Sequence, residues 1–178
     1  HIDLENLAIT EKPVTKQMKQ IFTGGRGFCL WLLWQAVKND TKWNSPENEL
    51  VIAGGPIGGI TQYPGSGKAT VVTISPLTHS VIDSNSGGYF GPYLKFSGFD
   101  ALEIQGKSEK EVVIFIDGDN GKITIEEAPL ENVDSHVINR QLTELYAAND
   151  GEKRGISVVS AGKAAEYVPI TGLNISFY

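Results

Sequence analysis

Residues 101–126, ALEIQGKSEKEVVIFIDGDNGKITIE, contain three short runs rich in β-branched and aromatic residues. The second and third runs, 111–116 and 122–126, are separated by the turn-forming residues DGDNG at 117–121. This pattern predicts a β-hairpin, and a hairpin joins antiparallel strands. The first run, 101–105, predicts a further strand just before it. The stretch therefore indicates an antiparallel sheet rather than a parallel sheet built with crossover helices.

The rest of the chain extends this pattern to an α+β fold. Helices are predicted at 12–21, at about 27–38 and at 134–149, where apolar residues recur at helical spacing. The second of these is apolar on nearly every face and is expected to be buried. We predict a mostly antiparallel, two-sheet, β-rich domain with a few peripheral helices. The further predicted strands are 2–9, 49–53, 69–74 and 155–160.

Glycine is concentrated in the middle of the chain, where residues 54–106 hold eleven of the twenty glycines. Glycine lets other atoms approach the backbone closely. The densest polar and glycine-rich run is 83–92, DSNSGGYFGP. From the residues alone it is either a tight connection with Asx turns or a backbone site for an anion or a cation.

Composition excludes several classes of protein. The net charge is −6 and the chain has no basic block, which argues against nucleic acid or an anionic membrane as the main partner. No apolar run is long enough to span a membrane. The one cysteine, Cys29, lies in an apolar run and is expected to be a buried thiol. One cysteine provides neither a disulfide nor an iron–sulfur cluster, and we expect a cytoplasmic protein.

Two short motifs are not specific enough to assign a function from the residues alone. Residues 64–68, PGSGK, lack the glycine and the Ser or Thr that a nucleotide-binding P-loop requires, although Lys68 remains a candidate phosphate ligand. Ser160, Ala161 and Lys163 follow a predicted strand, a common place for function and also for an ordinary turn. The three histidines share no ligand spacing with one another or with carboxylates, so no metal site is predicted from them.

Five blocks of sequence, in order, resemble the amino-terminal domain of tungsten-containing aldehyde:ferredoxin oxidoreductases. The strongest match is 85–91, NSGGYFG, continued by LKF at 94–96. The resemblance covers nearly the whole chain. The other blocks are TGGRG at 23–27, SPEN at 45–48 with LVIAGGP at 50–56, SPLT at 75–78, and GFDA at 98–101 with GK at 106–107.

The resemblance implies a binding site for one side of a tungsten–bispterin cofactor, whose two phosphates share a Mg²⁺ ion. It implies that the backbone carbonyls of Asn85 and Ala161 complete the Mg²⁺ site, as suits a cation that prefers oxygen ligands. Lys68 stands where the family has a phosphate-binding arginine, and Gly87 would allow close backbone approach. Ser160 and Lys163 complete the implied cofactor-binding set.

The chain also departs from the family pattern. Residues 159–163 are VSAGK, where the family usually has Gly-Pro-Ala-Gly-Glu. Lys68 keeps the positive charge of the family's arginine but loses its bidentate geometry. Ile74 stands where a lysine is common.

The resemblance implies part of an enzyme that oxidises aldehydes to carboxylic acids with ferredoxin as acceptor. The family's [4Fe–4S] cysteines and catalytic acids lie in later domains, so no catalytic residue is assigned here and the chain alone is expected to be inactive. The alternative is a free-standing domain or subunit with a non-catalytic binding or structural role. A third reading is a different reductase built on the same domain.

Both ends of the chain suggest a piece of a longer protein. It begins at His1 without a methionine, and it ends inside an apolar run. We expect residues 1–178 to form a single domain that is incomplete at both ends. Its expected partners are the missing carboxy-terminal domains or a partner subunit, and a homo-oligomer is a further possibility.

Overall fold

The computed structural model describes residues 1–129, 133–170 and 172–176. The helices are α1 (Lys16–Ile21), α2 (Arg26–Ala36), α3 (Phe90–Phe96) and α4 (Ser135–Tyr146). Within the described ranges, no helix is long and apolar enough to cross a membrane. The strands are β1 (Ile2–Asp3), β2 (Ala8–Ile9), β3 (Glu49–Gly54), β4 (Ala69–Ile74), β5 (Val81–Ser86), β6 (Ala101–Gln105), β7 (Val112–Asp117), β8 (Lys122–Glu127), β9 (Val159–Ser160) and β10 (Asn174–Ile175).

A six-stranded sheet forms the centre of the fold, in the order β2-β1-β6-β3-β4-β5. Every neighbouring pair is antiparallel except β1 and β6, which are parallel. Strands β7 and β8 form a separate hairpin, and β9 pairs with β10. The predicted α+β fold with mostly antiparallel strands is therefore confirmed.

Each face of the central sheet has its own hydrophobic core. On one face α2 packs Phe28, Cys29 and Leu33 against Val51 and Val72 of the central strands. On the other face the β7–β8 hairpin covers the sheet together with α3. Residues of this second core include Ile2, Leu94 and Leu102, with isoleucines 114, 116, 123 and 125 of the hairpin packed against them. The second sheet predicted from the sequence is therefore the two-stranded β7–β8 hairpin.

The hairpin turn has the chemistry that the sequence predicts. Asp117 Oδ1 accepts a hydrogen bond from the backbone N–H of Asn120 at 3.1 Å. Gly121 has φ of +63°, a left-handed conformation that glycine adopts without strain. These two features close the turn between β7 and β8.

Several predicted boundaries are wrong, each for a local reason. The predicted strand 2–9 is two short strands, because Asp3 Oδ1 accepts the N–H groups of Glu5 and Asn6 and turns the chain between them. The first helix begins only at Lys16, because Thr15 caps it through the N–H of Met18. Of the predicted strand 155–160, only β9 pairs with another strand.

The largest difference lies in 83–92, the run predicted to be a tight connection or a backbone ion site. Its first residues belong to β5, which pairs along its whole length with β4. Its last residues begin α3. Asp, Ser and Asn are uncommon in strands, and here they lie in an edge strand with one side open to water, where their polar side chains are solvated.

Helix α2 is also less buried than its composition predicts. Trp34 is 74% exposed and Leu30 is 38% exposed, whereas Leu33 is only 1% exposed. One face of the helix therefore packs on the sheet, and an apolar face remains exposed in this chain.

Candidate functional site

Strands β4 and β5 bring the first three candidate residues to one end of the sheet. Ala69 lies opposite Ser86, and Thr70 lies opposite Asn85. Lys68 and Gly87 are the next residues outward on the two strands. Strand pairing thus places Lys68, Asn85 and Gly87 at the same end of β4 and β5, which chain order alone does not require.

The side chain of Asn85 is held by its cross-strand neighbour. The hydroxyl of Thr70 donates a hydrogen bond to Asn85 Oδ1 at 3.1 Å. Because β5 is an edge strand, alternate backbone N–H and C=O groups along it point away from β4 and remain available to a ligand. This edge can offer backbone groups to a ligand while the Asn85 side chain stays anchored.

Close backbone contact explains one of the glycines at this end. A Cβ on Gly67 would lie 2.7 Å from the carbonyl oxygen of Gly88, so no larger residue fits without movement of the backbone. Gly87 differs, because a Cβ there would meet nothing within 4 Å. The space beside Gly87 is therefore open to a ligand.

Lys68 supplies a positive charge at the same end. Its side chain is exposed. Among the described residues its ammonium group makes no hydrogen bond or ion pair, so it is free to contact an anion. Its neighbour Ala69 is buried against Gly91 of α3, which fixes the backbone from which the lysine side chain extends.

The other three candidates, Ser160, Ala161 and Lys163, lie beside the beginning of α4. The hydroxyl of Ser160 donates to Asn139 Oδ1 at 2.9 Å. The N–H of Lys163 donates to the carbonyl of Val133 at 3.1 Å. Ala161 and the Lys163 side chain are exposed, so this turn is anchored through its backbone and through Ser160.

Strand β10 connects the two groups of candidates. Asn174 pairs with Ser160 in the β9–β10 ladder. The next residue, Ile175, has its Cγ2 atom 3.5 Å from the Cβ position of Gly88. The hydroxyl of Tyr93 in α3 also donates to the carbonyl of Arg154 at 2.5 Å, which joins the same two regions. One short strand therefore lies between the Gly87–Gly88 turn and the turn that carries Ala161.

The start of α2 adds residues that lie in the matching sequence blocks but were not predicted to be site residues. The Gly25 N–H donates to the Gly54 carbonyl at 2.9 Å, which holds the helix start against the end of β3. Arg26 then forms an ion pair with Asp83 of β5 at 2.5 Å. A cavity of about 300 Å³ opens between this helix start, α1 and the end of β3. The pairing of Arg26 with Asp83 was not predictable, because 57 residues separate them.

The single thiol has the structural role predicted for it. Cys29 is fully buried in α2 beneath the sheet. Burial raises its pKa to about 12, so the thiol stays protonated and unreactive at neutral pH.

Residues 1–175 match the family model described as aldehyde ferredoxin oxidoreductase, N-terminal domain. The tungsten-containing aldehyde ferredoxin oxidoreductase of Pyrococcus furiosus is 35% identical over 93% of this chain and 26% of its own length. From the same organism, the aliphatic sulfonate oxidoreductase, WOR-like subunit, is 32% identical over 68% of this chain and 20% of its own.

A solved structure has the same fold. The active site complex BamBC of benzoyl coenzyme A reductase, in complex with 1,5-dienoyl-CoA, superimposes with a TM-score of 0.82 and 28% identity. The match covers 93% of this chain and 24% of that chain. The chain thus spans about a quarter of the length of the relatives it matches.

Proposed function

The chain belongs to the aldehyde ferredoxin oxidoreductase family, where it corresponds to the amino-terminal domain, and from that premise we propose that it forms one side of a tungsten–bispterin binding site. The family resemblance deduced from its motifs is confirmed. The observation that carries the proposal is the convergence of Lys68, Asn85 and Gly87 at one end of β4 and β5.

Each residue in the proposed site has a separate task. Lys68 holds a pterin phosphate as a point charge, since its ammonium group is exposed and unengaged within the described part of the chain. The open space at Gly87 admits the cofactor close to the backbone. The backbone carbonyls of Asn85 and Ala161 bind the Mg²⁺ ion that the two phosphates share.

Ser160 and Lys163 support the same site from the second turn. The Ser160 hydroxyl is bonded to Asn139 and so fixes the backbone that precedes Ala161. Lys163 places a second exposed cation just after Ala161, which suits a phosphate neighbour.

The candidate residues have the chemistry that a tungsten–bispterin cofactor requires. The candidate residues provide an exposed cation, an edge strand with free backbone groups and a glycine beside open space, which together suit a phosphate-bearing ligand. When bound, the cofactor supplies the redox chemistry, and this chain binds and orients it. We assign no catalytic residue to this chain.

For the whole protein we propose aldehyde oxidation to a carboxylic acid with ferredoxin as acceptor. Relatives named for aldehydes, for aliphatic sulfonates and for benzoyl coenzyme A share this domain's sequence or fold, so we place substrate selection outside it. A [4Fe–4S] cluster would need cysteines from other domains, because this chain has only Cys29. We further propose that residues 1–178 form one domain of a cytoplasmic protein that assembles with further domains, a partner subunit or a second copy.

Metal analysis of the full-length protein tests the proposal. We expect tungsten and magnesium to be present in the purified protein and to fall together in Lys68→Gln, because losing a charged phosphate contact removes about 1.5–3 kcal/mol. Lys68→Arg restores the charge and should restore both metals. The matched control is Lys38→Gln, at another exposed lysine, just after the end of α2.

Two outcomes contradict the proposal. Wild-type protein without tungsten would favour the alternative, a non-catalytic module of the same fold. Full tungsten and magnesium content in Lys68→Gln would remove Lys68 from the phosphate site.

A further inference from the structure

A group of buried polar side chains lies at the far end of the central sheet from the proposed cofactor site. In the β3–β6 ladder Glu49 lies opposite Gln105, and Val51 lies opposite Glu103. In the β1–β6 ladder Ile2 lies opposite Ile104, which brings the preceding residue, His1, beside Glu103. Strand pairing alone thus gathers two carboxylates and an imidazole from three strands.

The ligand atoms of this group are close enough to share one ion. His1 Nε2 lies 3.4 Å from Glu49 Oε1. One such atom from each of His1, Glu49 and Glu103 lies within 4.8 Å of the others. Gln105 Oε1 lies 3.4 Å from the same His1 nitrogen, and its amide is oriented because Gln105 Nε2 donates to the carbonyl of Glu47 at 3.1 Å.

Burial leaves one carboxylate oxygen of this group without a partner. Glu49 is 3% exposed and Glu103 is 8% exposed. Within the described ranges, the buried oxygen Glu49 Oε2 has no hydrogen-bond partner. Leaving a buried polar atom unsatisfied is costly in free energy, and more so for a charged group. This oxygen is therefore the observation that points to a missing ligand.

We propose that His1, Glu49 and Glu103 bind a divalent transition-metal ion of the zinc class. Nitrogen and carboxylate oxygen are ligands that Zn²⁺ accepts, at about 2.0–2.2 Å. Two ligands of a tetrahedral ion at these distances lie roughly 3.4 Å apart, which matches the separation of His1 Nε2 and Glu49 Oε1. The Gln105 amide oxygen or a water molecule completes the coordination.

The ammonium group of Lys12 competes with a metal ion for the carboxylate of Glu103. Its Nζ lies 3.2 Å from Glu103 Oε2, and its side chain is half exposed. A flexible exposed ammonium group neutralises one carboxylate and leaves Glu49 Oε2 unsatisfied, whereas a divalent ion neutralises both. The bound ion would therefore displace Lys12 into solvent.

The metal site is separate from the proposed cofactor site. Glu49 begins β3, and Gly54, which pairs with Ala69 beside Lys68, ends it. At about 3.4 Å per residue these two ends are about 17 Å apart. Loss of binding at one site should therefore not change binding at the other.

Zinc uptake by the full-length protein tests the inference. The protein is treated with chelator and then dialysed against Zn²⁺ in the wild type, Glu49→Gln and Glu103→Gln. We expect the wild type to hold one equivalent more than either variant. The control is Glu11→Gln, an exposed carboxylate near the group that is not one of its three ligands, and it should retain that equivalent.

Two further measurements separate a metal site from an ion-pair network. Lys12→Met should bind Zn²⁺ at least several-fold more tightly, because it removes the competing cation. Zinc-edge X-ray absorption should show only nitrogen and oxygen ligands at about 2.0–2.2 Å, with an imidazole among them.

The inference is overturned if the wild type and Glu49→Gln bind equal amounts of zinc, or if Lys12→Met binds no more tightly than the wild type. Glu49→Gln removes a buried charge without changing side-chain size, so it should fold. A cooperative unfolding transition in chelator at pH 5, with a melting temperature close to that of the wild type, would verify this.

Discussion

At the residue scale, the most unusual group is the carboxyl of Glu49. Burial, together with the neighbouring carboxylate of Glu103, raises its pKa to about 7. The nearby ammonium group of Lys12 opposes this rise. In the absence of a metal ion, a proton can therefore occupy this carboxyl near neutral pH.

We predict that Glu49 makes the protein less stable as pH rises from about 4.5 to 7. In this range the folded state keeps a proton that the unfolded state has released, so the free energy of unfolding falls with increasing pH. Each pKa unit corresponds to 1.36 kcal/mol, so the change in the free energy of unfolding is on the order of 1–3 kcal/mol. Glu49→Gln should remove this dependence.

Urea unfolding at pH 5 and pH 8, with chelator present, measures the effect. The variant should be the more stable protein at pH 8 and close to the wild type at pH 5. Equal pH dependence in both proteins would show that Glu49 has an ordinary pKa.

At the element scale, α2 is the helix whose packing fixes one face of the central sheet. Its inner residues contact both β3 and β4, and its start is bonded to the end of β3 through Gly25 and Gly54. The contrast between adjacent residues Leu33, which is buried, and Trp34, which is exposed, defines which side of the helix packs.

Leu33→Ala should lower the free energy of unfolding by about 2–5 kcal/mol, since it leaves a cavity between α2 and the sheet. Trp34→Ala is the matched control, because it removes a larger side chain from the exposed face and should change stability by no more than about 0.5 kcal/mol. Urea denaturation of both variants gives the comparison. A large loss for Trp34→Ala would mean that the exposed face of α2 is covered in the protein.

The Gly67–Gly88 contact joins two turns at the candidate site. Gly67→Ala should destabilise the fold, because the new methyl group would lie 2.7 Å from the Gly88 carbonyl oxygen. Gly87→Ala should leave stability unchanged, since the added methyl group meets nothing within 4 Å. Thermal unfolding distinguishes them, and similar melting temperatures for the two variants would contradict the contact.

The Gly87→Ala variant also tests where the cofactor binds. If the proposed ligand approaches Gly87, Gly87→Ala should lower tungsten content in the full-length protein while its melting temperature without cofactor stays the same. Unchanged tungsten content would place the cofactor elsewhere.

At the scale of the whole molecule, apolar side chains are exposed along one edge of the sheet and on two helices. Val81 and Ile82 lie on the edge strand β5, Trp34 on α2 and Phe96 on α3, and each is well exposed. Exposed apolar surface of this kind is typical of regions that contact other domains or subunits. Such contacts agree with the finding that the chain spans about a quarter of the length of its relatives.

We predict that residues 1–178 alone do not reduce viologen with an aldehyde as substrate. The chain contributes one side of the proposed cofactor site, and its one thiol, Cys29, is buried and protonated. The assay compares the 178-residue chain with the full-length protein at equal concentration. Turnover above background by the chain alone would show that catalytic groups lie within it.

The sequence by itself determined the features that depend on neighbours along the chain. These are the β7–β8 hairpin with its Asp117–Asn120 turn, the antiparallel character of the sheet, the buried Cys29 and the family of the protein. Turn residues and alternating patterns act over a few positions, so they can be read directly from the sequence.

Only the tertiary structure decided which distant residues meet. The first four residues of the polar run, 83–86, form part of strand β5 because β4 pairs with them, an effect of tertiary context that overrides local propensity. Strand pairing likewise placed Lys68 beside Gly87, and it placed His1 beside Glu49 and Glu103, although chain spacing gave no sign of that cluster. The physical reason is that strand order and register are set by burial of the whole sheet, so the partners of a residue depend on the rest of the fold.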